Sequence, residues 1–366
     1  MKGNSLGQLI MTGVPGKELD PATARLFRKV QPGAYILFGR NIKQPAQLRK
    51  LMDDLRDLSK IEPMITIDQE GGRVSRLRLL GHEPPSAQQL RDRNDLQLIA
   101  RHGDITGRLL RLFGFNLNLC PVLDIAFDDE ADNSLRGRCW GKTVPQVVRN
   151  AGAFNQAMRQ QGIASCGKHF PGYSAATSDA HYQLPRIDRT RRQLDHNELA
   201  VFRKFLDAVD SMMICHAWYP CFDSTKTPAS LSRRVVTDLL RKELGFDGLA
   251  MTDDLDMGAI LTGYRLDDAI RSAVGAGNDI VMICHRIPEI ENVRRILGTL
   301  PAVHLNRALE NVERLKRRLV PPDKFSLAAF RKINEEIWDL RRAALGEEGA
   351  GHSGFQSIQR SPVEMF

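Results

Sequence analysis

The chain has 366 residues, 42% of them hydrophobic and 26% charged, with a formal net charge of +8 and an isoelectric point near 9.3. That length suits an α/β barrel, which runs to about 250 residues before extensions, and the composition excludes fibrous and disordered classes. No run approaches the roughly 18 consecutive apolar residues of a membrane span, so no membrane partner is expected.

The predicted elements alternate between strand and helix. An apolar stretch at 7–14 predicts a first strand, and Asp20 with Pro21 opens a helix to Val30, with aspartate as N-cap and proline in the first turn. A near-continuous apolar strand at 33–38 precedes a helix opened by Gln44-Pro45, in which Leu48, Leu51, Met52 and Leu55 recur at helical spacing. A third strand, 63–67, runs into the glycine-rich tip Asp68-Gln69-Glu70-Gly71-Gly72-Arg73-Val74. A helix at 95–113 leads to a fourth strand at 116–125, and a helix at 145–160 carries the stripe Val147, Ala151, Phe154 and Met158. The fifth strand ends in SCGKHFPGYSAATSDAHYQLP, residues 165–185.

Further on, a helix at 193–209, a strand at 211–217 and a helix at 230–243 are followed by a seventh strand at 248–252, tipped by Asp253-Asp254-Leu255-Asp256. A helix at 266–275, a strand at 279–285 and a helix at 288–297 complete eight strand-helix pairs. They predict a parallel (β/α)8 TIM barrel over 1–300. Residues 301–345 predict a C-terminal helical extension packed on the barrel, and the Gly/Ser-rich stretch 346–366 a disordered tail.

Once the strands form a barrel, the ionisable clusters fall just after strand C-terminal ends, where barrel enzymes work. They are Asp68 with Arg76, Arg138, Lys168 with His169, Asp179 with His181, His216, and Asp253. Asp179 and His181 are separated only by Ala180, so in an extended loop the carboxylate can accept the imidazole Nδ1–H and leave the other ring nitrogen to move a proton. By itself such a pair reads more readily as a turn-forming aspartate beside an ordinary exposed histidine. The run Asp253, Asp254, Asp256 alone reads as a helix cap or a divalent-cation site, or as the source of a nucleophile whose ionisation nearby Lys168 or Arg138 would favour.

Residues 168–181 resemble family 3 of the glycoside hydrolases, specifically its bacterial β-N-acetylglucosaminidases of cell-wall recycling. Their segment reads roughly K-H-F-P-G-H-G-A-x-T-x-D-S-H; here Tyr173 and Ser174 replace His-Gly, and Ala180 replaces Ser. The stretch from Phe246-Asp247-Gly248 through Thr252-Asp253-Asp254-Leu255-Asp256-Met257 is similar to the family's F-D-G-x-x-x-(S/T)-D-(D/A)-L-x-M. Segments at 36–41, 67–74, 121–124 and 228–232 look like family segments too. The resemblance implies Asp253 as nucleophile, His181 with Asp179 as acid/base dyad, and Asp68, Arg76, Arg138, Lys168 and His169 as sugar-binding residues.

It further implies a retaining exo-β-N-acetylglucosaminidase acting on muropeptides or related glycans, with no cofactor and no metal. A phosphorylase using the same covalent intermediate and an inactive glycan-binding protein are the alternatives. A Schiff base at Lys168, as in barrel aldolases, is a third chemistry that a strand-tip lysine permits. No nucleic-acid motif accompanies the positive charge, so the expected partner is a small carbohydrate, with the chain a monomer or dimer. The start, MKGNSLGQLIMTGV, lacks a small-residue cleavage site, which predicts a cytoplasmic protein. The six cysteines form no C-x-x-C pair and are expected as reduced, buried thiols.

Overall fold

The computed structural model describes residues 5–131 and 133–351. Eight parallel strands follow one another around a closed ring: β1 (Ile10–Gly13), β2 (Ala34–Leu37), β3 (Met64–Ile67), β4 (Leu117–Asn118), β5 (Ala164–Phe170), β6 (Ser211–Ile214), β7 (Leu249–Asp254) and β8 (Ile280–Ile283). The ring closes where Ile10, Met11 and Thr12 pair with Val281, Met282 and Ile283. A strand covered on both faces needs an apolar run without polar alternation, and β1, β2, β3, β6 and β8 are buried at every residue. The expected (β/α)8 architecture is the observed one.

Helices α1 (Pro21–Val30), α2 (Pro45–Leu58), α3 (Leu96–Phe113), α4 (Val144–Gln160), α5 (Glu198–Phe205), α6 (Arg234–Glu243), α7 (Leu266–Ala276) and α8 (Ile290–Leu297) follow the strands in turn. Asp20 caps α1 by accepting the N–H groups of Ala22 and Thr23 at 2.9 and 3.0 Å, and Asp95 caps α3 through Gln97 and Leu98. The stripe Val147, Ala151, Phe154 and Met158 is buried, as its spacing predicts. No helix of the described residues is long and apolar enough to cross a membrane.

Boundaries differ where backbone chemistry overrides the apolar pattern. Leu6–Leu9 winds as a 3₁₀ turn, so β1 starts at Ile10. The expected strand at 116–125 is regular only over Leu117–Asn118, because Pro121 has no N–H to offer. Pairing with β5 resumes through Lys168 N–H on the Pro121 carbonyl and Leu123 N–H on the Lys168 carbonyl. The expected helix at 193–209 breaks at Asn197, whose φ and ψ of −115° and −91° are not helical. Five of the six free cysteines are buried, but Cys221 is exposed, against expectation.

After the barrel come α9 (Ala302–Lys316) and α10 (Leu327–Gly351). Asn311 of α9 donates to Asp279 at 2.9 Å, and Lys316 donates to Gln8 at 2.7 Å. Helix α10 lies along α3, with the Phe330 ring centroid 5.5 Å from that of Phe113 and Glu336 paired with Arg108. The tail expected to be disordered from Gly346 behaves differently as far as Gly351. The chain kinks at Gly346 and continues helically, and the buried Ala350 carbonyl accepts the Arg341 Nε–H at 2.7 Å. The rest of that stretch, 352–366, lies outside the described residues.

Candidate active site

Asp68 follows β3, Lys168 and His169 end β5, His216 follows β6 and Asp253 ends β7. The parallel ring therefore delivers all of them to one rim. There they line a cavity of about 570 Å³ together with Arg76, Arg138 and His181. Asp179 is the one proposed site residue outside that lining, and it stands behind His181. Strands β3 and β7 are four places apart in the eight-membered ring, so Asp68 faces Asp253 across the barrel mouth.

On the β3 side the charges form one closed cluster. Lys168 Nζ lies 2.6 Å from both Asp68 Oδ1 and Glu70 Oε1, and Arg138 donates to the two Glu70 oxygens at 2.9 and 2.8 Å. Glu70 reaches this position because residues 69–75 form a tight antiparallel hairpin, whose turn takes Gly71 and Gly72 to φ of 105° and 54°. Burial works against ionisation of Lys168, yet the two carboxylates outweigh it and hold the ammonium above its ordinary value. For Glu70 burial likewise opposes ionisation, and Arg138 with Lys168 wins, holding it below the usual carboxylate range. A lysine held protonated in this way is a poor Schiff-base nucleophile, which requires a neutral amine.

Sequence reasoning assigned no role to Glu70 or to Asp124, although both lie inside quoted family-like segments. Asp124 is fully buried. Its Oδ2 accepts the His169 N–H at 3.1 Å and lies 2.7 Å from His169 Nδ1, while Oδ1 accepts the Tyr173 N–H at 2.6 Å. A carboxylate only accepts, so it fixes the His169 tautomer with the proton on Nδ1.

Asp253 is partly buried, and its Oδ1 accepts the Asp254 N–H at 2.8 Å. Burial is the largest influence and opposes ionisation, but His216, His169, the Asp254 N–H and His181 together hold the carboxyl below its ordinary value. The expected helpers, Lys168 and Arg138, are instead committed to Asp68 and Glu70. The two other acids of the run have different work. Burial, with Asp256 and Asp253 nearby, pushes Asp254 up to about 8. Asp254 accepts the N–H groups of Asp256 and Cys284, and Asp256 accepts those of His285 and Arg286 as well as Arg286 Nε–H, so the pair ties the β7 and β8 tips together. Among the described residues no three His, Cys, Asp or Glu side chains cluster as metal ligands would.

His216 is fully buried. Its Nε2 is 2.9 Å from the Asp254 carbonyl, which only accepts, so Nε2 carries the proton and Nδ1 receives the Ser230 hydroxyl at 2.7 Å.

The Asp179 and His181 side chains meet as their spacing suggested, through a turn and not an extended loop. Asp179 Oδ1 accepts the His181 backbone N–H at 2.9 Å and is 2.6 Å from His181 Nδ1. The Asp179 carbonyl in turn accepts from Tyr182 and Gln183. Burial raises the Asp179 carboxyl, but its bonds to His181 more than compensate and leave it lowered. This arrangement keeps a proton on Nδ1 and leaves Nε2 to exchange one.

Residues 3–317 match the glycosyl hydrolase family 3 N-terminal domain. A beta-hexosaminidase of Vibrio cholerae serotype O1 (strain M66-2) is 34% identical over 334 residues, covering 90% of this chain and 94% of the relative. A beta-hexosaminidase of Pseudomonas aeruginosa (strain LESB58) is 32% identical over 75% of this chain and 82% of its own. Among solved structures, a glycoside hydrolase family 3 beta-N-acetylglucosaminidase from Paenibacillus sp. FPU-7 superposes with a TM-score of 0.85 at 31% identity, covering 94% of this chain and 69% of that one.

Proposed function

This chain belongs to glycosyl hydrolase family 3 and is a glycoside hydrolase, and on that premise we propose that it is a retaining exo-β-N-acetylglucosaminidase. Its substrates are glycans with a non-reducing terminal N-acetylglucosamine, with muropeptide fragments in the cytoplasm as the natural ones. The observation that carries the reading is one cavity lined by both the Asp253 carboxyl and a His181 locked by Asp179 at 2.6 Å. That supplies a nucleophile and a proton carrier to the same bound sugar.

In the first step an Asp253 oxygen attacks C1 as the bond from C1 to the glycosidic oxygen breaks, and the proton on His181 Nε2 passes to the departing oxygen. In the second, water attacks C1, His181 takes a proton from it, and Asp253 leaves as a carboxylate. Two displacements at C1 return the β-anomer. Asp68, Arg76, Arg138, Lys168 and His169 offer the charged donors and acceptors that sugar hydroxyls require. Beside His181, where the leaving group departs, Tyr182 and Leu261 are 64% and 44% exposed at the cavity edge. They suit the apolar face of a second sugar ring.

The test is turnover of an aryl N-acetyl-β-glucosaminide and of an N-acetylglucosaminyl muropeptide, with the first-formed anomer read by NMR. Release of β-N-acetylglucosamine is the expected result. An α-anomer formed first would overturn the covalent mechanism, sugar 1-phosphate formed in phosphate buffer would mark phosphorolysis, and no turnover of either substrate would sink the N-acetylglucosaminidase reading.

A further inference from the structure

Tyr173 is one of the positions where this chain departs from the family-like pattern, and its side chain reaches the catalytic loop. The phenol hydroxyl donates to the Ser178 carbonyl at 2.8 Å and accepts the Ala180 N–H at 2.9 Å. Those two backbone groups bracket Asp179. Burial raises the phenol pKa far above its ordinary value, so the hydroxyl keeps the proton it donates. At its other end Tyr173 is anchored by its own N–H on Asp124, the carboxylate that also orients His169. Ser174, the second departure, accepts the Ile125 N–H at 2.7 Å and ties the same segment to the chain after β4.

The opposite side of the loop is held to the β7 tip. Gly258 N–H donates to the His181 carbonyl at 3.0 Å, and Ala259 N–H to the Ala180 carbonyl at 2.9 Å. A Cβ at Gly258 would lie 2.5 Å from the His181 carbonyl oxygen, so the approach needs glycine. The loop is thus held from two directions, and on the Tyr173 side one hydroxyl makes both bonds.

We propose that Tyr173 is a positioning residue for acid/base catalysis: its hydroxyl clamps Ser178 and Ala180 and thereby sets the Asp179–His181 pair over the cavity that contains Asp253. The inference rests on the glycosidase reading above. The clamp acts only through the dyad, so its loss reduces whatever His181 contributes and leaves the rest of the site unchanged.

The experiment compares Tyr173→Phe, which keeps the ring and removes the hydroxyl, with wild type, His181→Ala and the double variant. Substrates are a disaccharide with a terminal N-acetylglucosamine and a nitrophenyl glucosaminide. Tyr173→Phe should lower kcat on the disaccharide about five- to a hundredfold, the worth of the two lost bonds, with KM within about twofold. Loss of nitrophenol should be slowed less, because that leaving group needs little protonation. On the His181→Ala background the same change should have no further effect. A loss of equal size on both substrates, an undiminished loss on the His181→Ala background, an unchanged kcat, or a rise in KM alone would each overturn the proposal, the last by making Tyr173 a substrate contact. Should Tyr173→Phe fail to fold, Tyr173→Met, which fills the space without a hydrogen-bond donor, takes its place with the same expected pattern. Failure of the wild-type enzyme on both substrates would defeat the underlying glycosidase reading, a result distinct from any of these.

Discussion

Asp179 Oδ1 receives two hydrogens from one residue, the backbone N–H of His181 at 2.9 Å and the ring Nδ1–H at 2.6 Å. The first bond fixes where the imidazole begins and the second fixes how it is turned. An imidazole oriented by its own near neighbour depends little on the rest of the barrel for its tautomer, and the barrel brings Asp253 into the same cavity.

Replacing His181 by alanine should therefore cost on the order of 10²- to 10⁴-fold with a sugar leaving group and much less in the first step with nitrophenol. An initial burst of nitrophenol should appear, because the second step still needs a base. Asp179→Asn should give the same pattern with a smaller loss, since the ring remains but loses its orienting carboxylate. Asp253→Ala should damage both substrates alike. Stopped-flow traces and leaving-group series measure these differences, and equal losses for His181→Ala on both substrates, with no burst, would return that residue to a structural role.

Glu70→Gln removes the carboxylate that two buried cations share. Lys168 then keeps only Asp68, and Arg138 loses its ionic partner. Breaking a buried ion pair from one side costs about 3–5 kcal/mol. Urea unfolding should show a loss of that order, with KM raised because Lys168 and Arg138 line the proposed sugar cavity; a change below about 1 kcal/mol would mean that the cluster is well hydrated.

Glu198 gives the chain a pH dependence away from the catalytic groups. It is fully buried, neither carboxyl oxygen has a hydrogen-bond partner in another of the described residues, and burial pushes it up from 4.5 to about 7. A raised folded value means that the folded state binds the extra proton between those limits. The stability it contributes is complete below about pH 4.5 and is lost as pH rises through about 7. Glu198→Gln cannot ionise, so its stability should gain on the wild type between pH 5 and 8, by an amount on the order of 3 kcal/mol at most, and its melting temperature should rise with it. Parallel melting curves for the two proteins would refute the burial argument.

Tyr182→Ala tests the leaving-group side of the cavity. Losing an exposed aromatic face should raise KM for a disaccharide or muropeptide several-fold, by about 0.5–1.5 kcal/mol of stacking, and leave a methyl glucosaminide unchanged. Equal effects on the two substrates would place Tyr182 outside the aglycone contact.

The barrel and the meeting of Asp179 with His181 were legible in the sequence because both are governed by local rules. Strand-length apolar runs alternating with capped amphipathic helices permit few other packings, and a carboxylate two residues from a histidine reaches it through a single turn. The positions of Asp253 and His181 on one rim followed from the parallel strands, since every such strand points its C-terminal end the same way. The partners of Lys168, Arg138 and His169 were not legible. Asp68 and Lys168 are 100 residues apart in the chain, Glu70 and Arg138 are 68 apart, and Asp124 and His169 are 45 apart. No periodicity or spacing rule spans such intervals, and a buried cation takes whichever carboxylate the closed ring brings within hydrogen-bonding distance. Tyr173, which the pattern marked only as a departure, bonds to Ser178 and Ala180 only five and seven residues on. The loop between them is neither helix nor strand, so no periodicity predicts those bonds, and the packing of the loop decides them.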